Sequence, residues 1–551
     1  MPLQFALENR TAKLSVGELA AFAIGPRDSS EGSAGIWRAQ LGSHWHREMQ
    51  ARTETADSSA RFEVAINGQI IHRGWTIQLS GRIDQVLQQD DILTLREIKT
   101  ITRAVPVPEA ELRLDYPHYF AQLATYLALQ RIAAPEVELR GELVYVETGS
   151  GLSQTITLPR HDESLFDTRI ERLTQFLDLN YRARERRRKL SFSPAFSTLR
   201  EGQENTRSAL EKSLAENRVV AFEAPTGFGK TGVMLETALN SLRQGQCDRV
   251  VYVTSKSTGQ LQVVETLNRM ISAPDAAPEA ELAEEDRLGV WHVRNKREHC
   301  VNHTFHCTRE SCRFIQDLEA RWPESGLDRF HLFNRENRDL TQLRHAGQAA
   351  GICPYEITRT ALAFQDVWVG DFNYVFAPRN RSLFENQPSW DPARTLLIVD
   401  ESHNLASRVA DAHSAELTDL ECRRVLAELD HLNVSRELLR KWESLTLLVA
   451  GLKPVEGLDL AREEDLVEIL GHIAETLAVT PVDYAALGPE AAEILWRPGE
   501  LLTWLRDLNL SRLLWVPREG HLVFTCLDAA PAIGETLRSF GHVLLASATI
   551  G

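Results

Sequence analysis

Nowhere does the sequence hold an apolar run approaching the roughly 20 residues a membrane-spanning helix needs. Its opening residues, MPLQFALENR, lack the basic start and apolar core of a secretion signal. Together these absences set the expectation of a cytoplasmic protein without a membrane partner. Cysteine is scarce, with seven in 551 residues, too few for a disulfide scaffold. Four of them nonetheless crowd between residues 300 and 353, which in a reducing compartment points to metal ligation. Positive charge is also in deficit, and the formal net charge is −16. That sum runs over the whole surface, whereas an enzyme tracking a nucleic-acid strand needs only a local basic groove. It therefore argues only weakly against DNA, and the motifs must decide. Length implies about three or four domains, because single cores rarely grow past roughly 250–300 residues.

Residues 76 to 100 read as two strands. Ile77, Leu79, Gly81 and Ile83 alternate with polar residues, Gln88 to Asp91 forms a turn, and Ile92 to Thr100 resumes. The period of two puts Glu97 and Lys99 on one face and Ile98 on the other, and lets Asp84 lie beside Glu97. Two carboxylates and a lysine so placed suit metal-dependent phosphodiester cleavage. The carboxylates hold Mg²⁺ or Mn²⁺, the metal activates water, and the ammonium steadies developing charge. A solvated salt-bridge cluster is the plainer alternative. Upstream, Gly42-Ser-His-Trp-His46 reads as helix and offers an imidazole as a further ligand, with a buried structural histidine as the alternative. Downstream, Gln122 and Tyr126 stand four apart on a helix spanning about 117–131, hence on one face. The ordered set Gly-x-x-x-His46, Gly81-Arg-Ile-Asp84, Glu97-Ile-Lys99 and Gln122-x-x-x-Tyr126 resembles the RecB-family nucleases of the PD-(D/E)xK fold. The resemblance covers roughly residues 35–150. It implies a metal at His46, Asp84 and Glu97, with Lys99 near the scissile phosphate and Gln122 and Tyr126 supporting the site or touching DNA. An inactive relic kept for DNA binding is the alternative. A further helix over 162–180 leads into the basic run Arg182 to Lys189, read as a solvated helix end or linker, or else as a phosphate contact.

Val219 to Glu223 then forms a short apolar strand, followed at once by Ala224-Pro-Thr226-Gly227-Phe-Gly229-Lys230-Thr231. Glycines let such a loop close round phosphates, whose charge meets backbone N–H groups at the helix start. Lys230 would reach the β- and γ-phosphates of ATP, and Thr231 would hold Mg²⁺. A second nucleotide signature, Thr395-Leu-Leu-Ile-Val-Asp400-Glu401-Ser-His403, delivers an acidic pair to the C-terminal end of a buried strand. Asp400 would anchor the Mg²⁺ shell and Glu401 polarise the attacking water. Arg200 and Gln203 match an adenine-reading Arg-x-x-Gln element of helicases. Ser547-Ala-Thr549 resembles the motif that couples hydrolysis to DNA.

Cys300, Cys307, Cys312 and Cys353 lie between these signatures, and four thiolates suit a [4Fe–4S] cluster. Zinc is the rival, with His299, His303 and His306 nearby, although no Cys-x-x-Cys knuckle is present. Cys247, Cys422 and Cys526 are scattered and read as core. Residues 405 to about 510 read as helical, with Leu417, Leu420, Val425, Leu426 and Leu429 at helical spacing. The order of P-loop, cysteines, acidic box, helical insertion and Ser-Ala-Thr resembles the XPD/DinG family of iron–sulfur superfamily 2 helicases, from about Leu199 onward. The resemblance implies an arch over a DNA pore, 5′-to-3′ polarity, and single-stranded DNA as track, with a fork or tailed duplex as substrate.

The expected fold class is α/β: a PD-(D/E)xK nuclease-like domain (1–190) joined to a RecA-like parallel-sheet domain. The latter comprises a P-loop part (191–270), an iron–sulfur insertion (271–354), an acidic-box part (355–403), a helical arch (404–510) and a closing segment (511–551). A second RecA-like domain is absent from this reading. The expectation is that the chain alone neither hydrolyses ATP usefully nor unwinds duplex, unless a second chain completes the motor. The expected function is an ATP-dependent DNA helicase–nuclease. The alternatives are a helicase whose N-terminal domain only binds DNA, and a non-catalytic DNA clamp or recruitment module.

Overall fold

The computed structural model of the chain describes residues 3–26, 48–50, 53–54, 59–89, 91–101, 103–271, 287–308, 311–333, 336, 338–480, 482–507 and 509–549. His46 lies outside them. The chain divides into two compact units, residues 1–179 with 426–443 and 469–487, and residues 180–425 with 444–468 and 488–551. Among the described residues no helix is long and apolar enough to cross a membrane.

In the first unit, β1 (Gln4–Ala6), β2 (Thr11–Ser15), β3 (Arg61–His72), β4 (Trp75–Gln89), β5 (Ile92–Ile101), β6 (Glu138–Glu147) and β7 (Ser153–Leu158) build one mixed sheet. Its order is β1-β2-β4-β5-β6-β7, with β3 paired to the free side of β4. The 15 residues of β4 serve two partners in turn: Thr76 to Ser80 pair in parallel with β2, and Gln85 to Gln89 pair antiparallel with β5. Both strands fall where the alternation placed them, although Gln88 and Gln89, read as turn, belong to β4. The helix α1 (Val16–Ala20) follows β2 behind a capping box from Ser15 and Glu18. The longer α2 (Pro117–Ala133) carries proline at its first turn, where a missing N–H costs nothing. Phe120, Leu123, Ala124 and Leu127 of α2 are buried, and the helix packs on β5 and β6.

The second unit holds a parallel sheet of β8 (Val219–Glu223), β9 (Arg249–Val253), β10 (Val290–His292), β11 (Val367–Gly370), β12 (Thr395–Asp400) and β16 (His542–Ser547), in the order β10-β11-β9-β12-β16-β8. A parallel sheet is covered on both faces, so its strands are apolar without alternation. Val250 to Val253 and Leu397 to Val399 are accordingly fully buried. The edge strand β10 falls within the stretch expected to be iron–sulfur insertion (271–354); with only three residues it is too short to show a period.

The segment expected to be mostly helical (404–510) holds helices Asp419–His431, Arg436–Gly451, Leu460–Val479 and Pro489–Arg506, and departs from that reading at β13 (Ala415–Thr418). With β14 (Ser511–Trp515) and β15 (His521–Asp528), which follow the segment, β13 forms a small antiparallel sheet. Leu417, read as part of a helical stripe, is a buried strand residue, and Leu420 is 74% exposed. The spacing matched helix because a strand runs directly into one. Cys247, Cys422 and Cys526 are core residues as expected.

The helix after β7, α3 (Ser164–Arg188), takes in most of the basic run; Arg182, Arg188 and Lys189 are exposed, as a solvated helix end implies, but Arg186 and Arg187 are not. Arg186 and Arg187 ion-pair with Asp366 at 2.6 and 2.9 Å, and the same carboxylate accepts the Gly289 N–H at 2.8 Å. Burial opposes ionisation of Asp366, which is 1% exposed, yet the two guanidiniums hold its carboxyl below the usual carboxylate range. Removing one member of such a buried group leaves the others uncompensated. Asp366→Ala is therefore expected to cost about 3–5 kcal/mol of stability, read as a lowered urea midpoint. A midpoint like wild type would show that the two arginines find water instead.

Candidate functional site

Asp84, Glu97 and Lys99 come together on β4 and β5. The ladder pairs Gln85 with Arg96, which sets Asp84 opposite Glu97. Asp84 Oδ2 accepts the Ile98 N–H at 2.7 Å, and Lys99 Nζ donates to Glu97 Oε1 at 2.9 Å. The same Glu97 oxygen accepts from Gln122 Nε2 at 2.6 Å, so α2 braces the carboxylate. Tyr126, one turn on, donates its hydroxyl to the Arg82 carbonyl at 2.7 Å and stands 3.4 Å from Gln122 Nε2. Gly81 permits this approach: a Cβ there would sit 2.7 Å from the Tyr126 ring and 3.0 Å from Val16. The motif glycine thus makes room for the motif tyrosine, a pairing the sequence order alone does not show.

Burial pushes Asp84 up to about 6, against the pull of Lys99 and the Ile98 N–H, and with a further push from Glu63. Glu63 was not singled out in the sequence. It has φ +48° in β3, the partner strand of β4, an unusual backbone for a non-glycine residue. Burial works against the Lys99 ammonium, but Glu97 and then Asp84 hold its pKa above the ordinary lysine value. The Lys99 ammonium also lies 5.0 Å from the centre of the Tyr119 ring. Charge of both signs is therefore concentrated in a buried place, as a site needs before a cation and a phosphate enter.

In the second unit the P-loop lies between β8 and α4 (Lys230–Arg243), with Gly227 and Gly229 at φ +81° and +89°. Thr226 sits in the loop before them. A Cβ on Gly229 would come within 2.7 Å of Phe196 and 2.8 Å of Gln203 Nε2, so this position also excludes side chains by space. Phe196 was missed by sequence reading, and no motif marks it. Lys230 Nζ donates to the Ala224 carbonyl at 2.8 Å. Gln203 donates to the Phe228 carbonyl at 2.6 Å and accepts the Arg200 N–H at 2.8 Å, while the Arg200 guanidinium donates to the Gly227 carbonyl. The Arg-x-x-Gln element is thus fastened to the loop itself.

Asp400 and Glu401 end β12 at the same edge of the sheet, and Glu401 has φ +56°. Burial raises the Asp400 carboxyl above its ordinary value. His403 Nδ1 is 2.8 Å from Ser547 Oγ, which donates in turn to the Thr549 carbonyl at 2.7 Å. Since that hydroxyl spends its proton on Thr549, the His403 ring must supply the N–H. The acidic box and the Ser-Ala-Thr motif are thereby one hydrogen-bonded unit.

Among the described residues, no group of three or more His, Cys, Asp or Glu side chains is arranged to hold a metal. Cys312 and Cys353 nevertheless share an apolar cluster with Phe314. Cys307 senses the charge of Cys312, and Cys353 that of Cys307. Burial pushes the Cys353 thiol up to about 12. Cys300 closes the short helix Lys296–His299. His299 is wholly buried, with its ring nitrogens on the Asn295 carbonyl and the Thr358 hydroxyl, so it is a structural residue here.

Residues 8–195 match the PD-(D/E)XK nuclease superfamily, residues 196–318 the family "Type III restriction enzyme, res subunit", and residues 285–421 the DEAD_2 family. The N-terminal part is thus similar to PD-(D/E)XK nucleases, and the part after it to XPD-like helicases. A regulator of telomere elongation helicase 1 homolog from Oryza sativa subsp. japonica is 38% identical over 139 residues, which is 25% of this chain and 13% of that protein. The general transcription and DNA repair factor IIH helicase subunit XPD/RAD3 of Saccharomyces cerevisiae is 23% identical over 367 residues, covering 61% of this chain and 44% of that protein. The chain thus spans less than half the length of either relative. A solved structure titled "Truncated XPD" aligns over 63% of this chain and 94% of its own, at 16% identity and a TM-score of 0.40.

Proposed function

We propose that this chain belongs to an ATP-dependent DNA helicase that moves on single-stranded DNA in the 5′-to-3′ sense, and that its N-terminal domain cleaves DNA with Mg²⁺ or Mn²⁺. The observation that carries the nuclease half is the convergence of Asp84, Glu97 and Lys99, with Gln122 fixing Glu97. In this reading Asp84 and Glu97 are the carboxylate ligands, and His46 completes the set. Lys99 offsets the negative charge that builds on the phosphate as water attacks. Glu97 is held by two donors, so its oxygen lone pairs are aimed before the cation arrives.

The helicase half is supported by the P-loop and acidic box meeting at one sheet edge. Lys230 and the loop N–H groups bind the phosphates, and Asp400 with Thr231 holds the accompanying Mg²⁺. Glu401 orients water, while Arg200 and Gln203 read the base. Ser547 and Thr549, bonded to His403, relay the nucleotide state toward DNA. The substrate is single-stranded DNA within a fork or tailed duplex.

Cys300, Cys307, Cys312 and Cys353 would hold a [4Fe–4S] cluster, which supplies a structural cross-link when bound. Their fit rests on the apolar enclosure of Cys312 and Cys353 and on the nearness of Cys307 to both. Cys353→Ser is expected to remove most of the protein-bound iron and the visible absorbance of the purified protein. Iron retained at the wild-type ratio would remove Cys353 from the ligand set, and zinc in its place would favour the rival metal.

The deciding experiment is incubation of the chain with end-labelled single-stranded DNA and Mg²⁺ or Mn²⁺, without ATP. Cutting supports the nuclease reading. A strand bound but left intact at every metal concentration would sink it and leave the N-terminal domain a DNA-binding module.

A further inference from the structure

Asp400 has both carboxylate oxygens engaged. Oδ1 accepts the Glu401 N–H at 3.0 Å, and Oδ2 accepts the Tyr252 hydroxyl at 2.7 Å. Tyr252 sits in β9, neighbour to β12 in the sheet, and is 0% exposed. A buried phenol therefore holds one of the groups assigned above to the Mg²⁺ of the nucleotide, and no motif includes it.

The direction of this contact has a chemical consequence. An ionised Asp400 accepts and cannot donate, so the phenol proton lies on Oδ2 and fixes how the carboxylate is turned. The Glu401 N–H on Oδ1 holds the other oxygen.

We propose that Tyr252 is a positioning residue for the nucleotide-bound divalent cation, fixing the Asp400 carboxylate through one buried phenol. This inference rests on reading the P-loop edge as the nucleotide site. Phenylalanine in place of Tyr252 keeps the ring and removes only the hydroxyl. Asp400 Oδ2 then loses its donor.

The test is binding of a fluorescent ATP analogue to the full chain as a function of Mg²⁺, with thermal melting as a check of folding. Tyr252→Phe is expected to raise the Mg²⁺ concentration needed for half-maximal effect about tenfold, the scale of one hydrogen bond to a charged group. Affinity measured in EDTA should change less than about twofold. Because Tyr252 acts through Asp400, adding Tyr252→Phe to Asp400→Asn should shift the midpoint little further. Mn²⁺ titrations followed by electron paramagnetic resonance give the same comparison without the fluorophore. An unchanged Mg²⁺ midpoint would overturn the proposal. So would an equal loss of affinity with and without the metal, which marks a packing role. Absence of nucleotide binding by the wild-type chain would instead overturn the nucleotide site itself, and this inference with it.

Discussion

Asp84→Asn is expected to lower metal-dependent cleavage of single-stranded DNA on the order of 10³-fold, while leaving the strand bound. An amide keeps an oxygen for the Ile98 N–H, so the β4–β5 ladder should survive, but it brings no charge to the cation. The same substitution should stabilise the fold at neutral pH. Burial raises the Asp84 carboxyl from 3.8 to about 6, so its ionised form opposes folding. The sign follows directly. The favourable contribution of the protonated group is complete below the unfolded value and is lost as pH rises through about 6. Above that pH the amide should be the more stable by an amount on the order of 1–3 kcal/mol, a figure that already contains the attraction of Lys99. Activity and stability therefore move in opposite directions. In the wild-type protein, Mg²⁺ must displace a proton below about pH 6, so the metal concentration needed for cutting should climb as pH falls. Cleavage rates at several Mg²⁺ levels between pH 5 and 8, beside melting curves of both proteins, check all of this. An amide variant that cuts like wild type would remove Asp84 from the metal site.

Lys230→Ala should weaken ATP binding on the order of 10²-fold or more, measured by titration with a fluorescent analogue. Lys230 is buried, and its ammonium meets the Ala224 carbonyl at the place where phosphate oxygens would arrive. The truncated side chain leaves the loop its backbone N–H groups but removes the one mobile positive charge within it. In the proposed reading, cleavage without ATP would depend on Asp84 and not on Lys230, so the two substitutions should separate cleanly. Equal loss of cutting from both would mean that Lys230→Ala damages more than its own site.

The parts of this fold that were legible in the sequence are those whose physics is local. The strand Val219 to Glu223 and its P-loop, the buried run ending at Asp400, and the hairpin carrying Asp84 and Glu97 each announce themselves within a few residues. Their boundaries in the structure differ from the reading by a residue or two at most. What was illegible depended on partners far away in the chain. Arg186 and Arg187 look like solvent-facing charges until Asp366, some 180 residues on, supplies the counter-charge. Tyr252 reads as one more apolar strand residue, because nothing nearby reveals that its hydroxyl meets Asp400. Leu417 and Leu420 satisfied a helical period that a strand-to-helix junction counterfeits. At the nuclease-like site the order of motifs foretold which side chains meet. It did not foretell that Gly81 is needed for Tyr126, or that Glu63 bears on Asp84.

The grip of Asp366 on Arg186 and Arg187 bears on modularity. By composition the obvious seam is the polar stretch from Ser191 to Ser197, and a protein divided there would yield two tidy halves on paper. The half beginning at residue 191 would inherit a buried carboxylate stripped of both its arginines. Any exchange of the N-terminal half, by recombination in nature or by design, must therefore carry its joint upstream of Arg186 or replace Asp366 at the same stroke. A swap that ignored this would fail in the recipient domain and leave the donated one blameless.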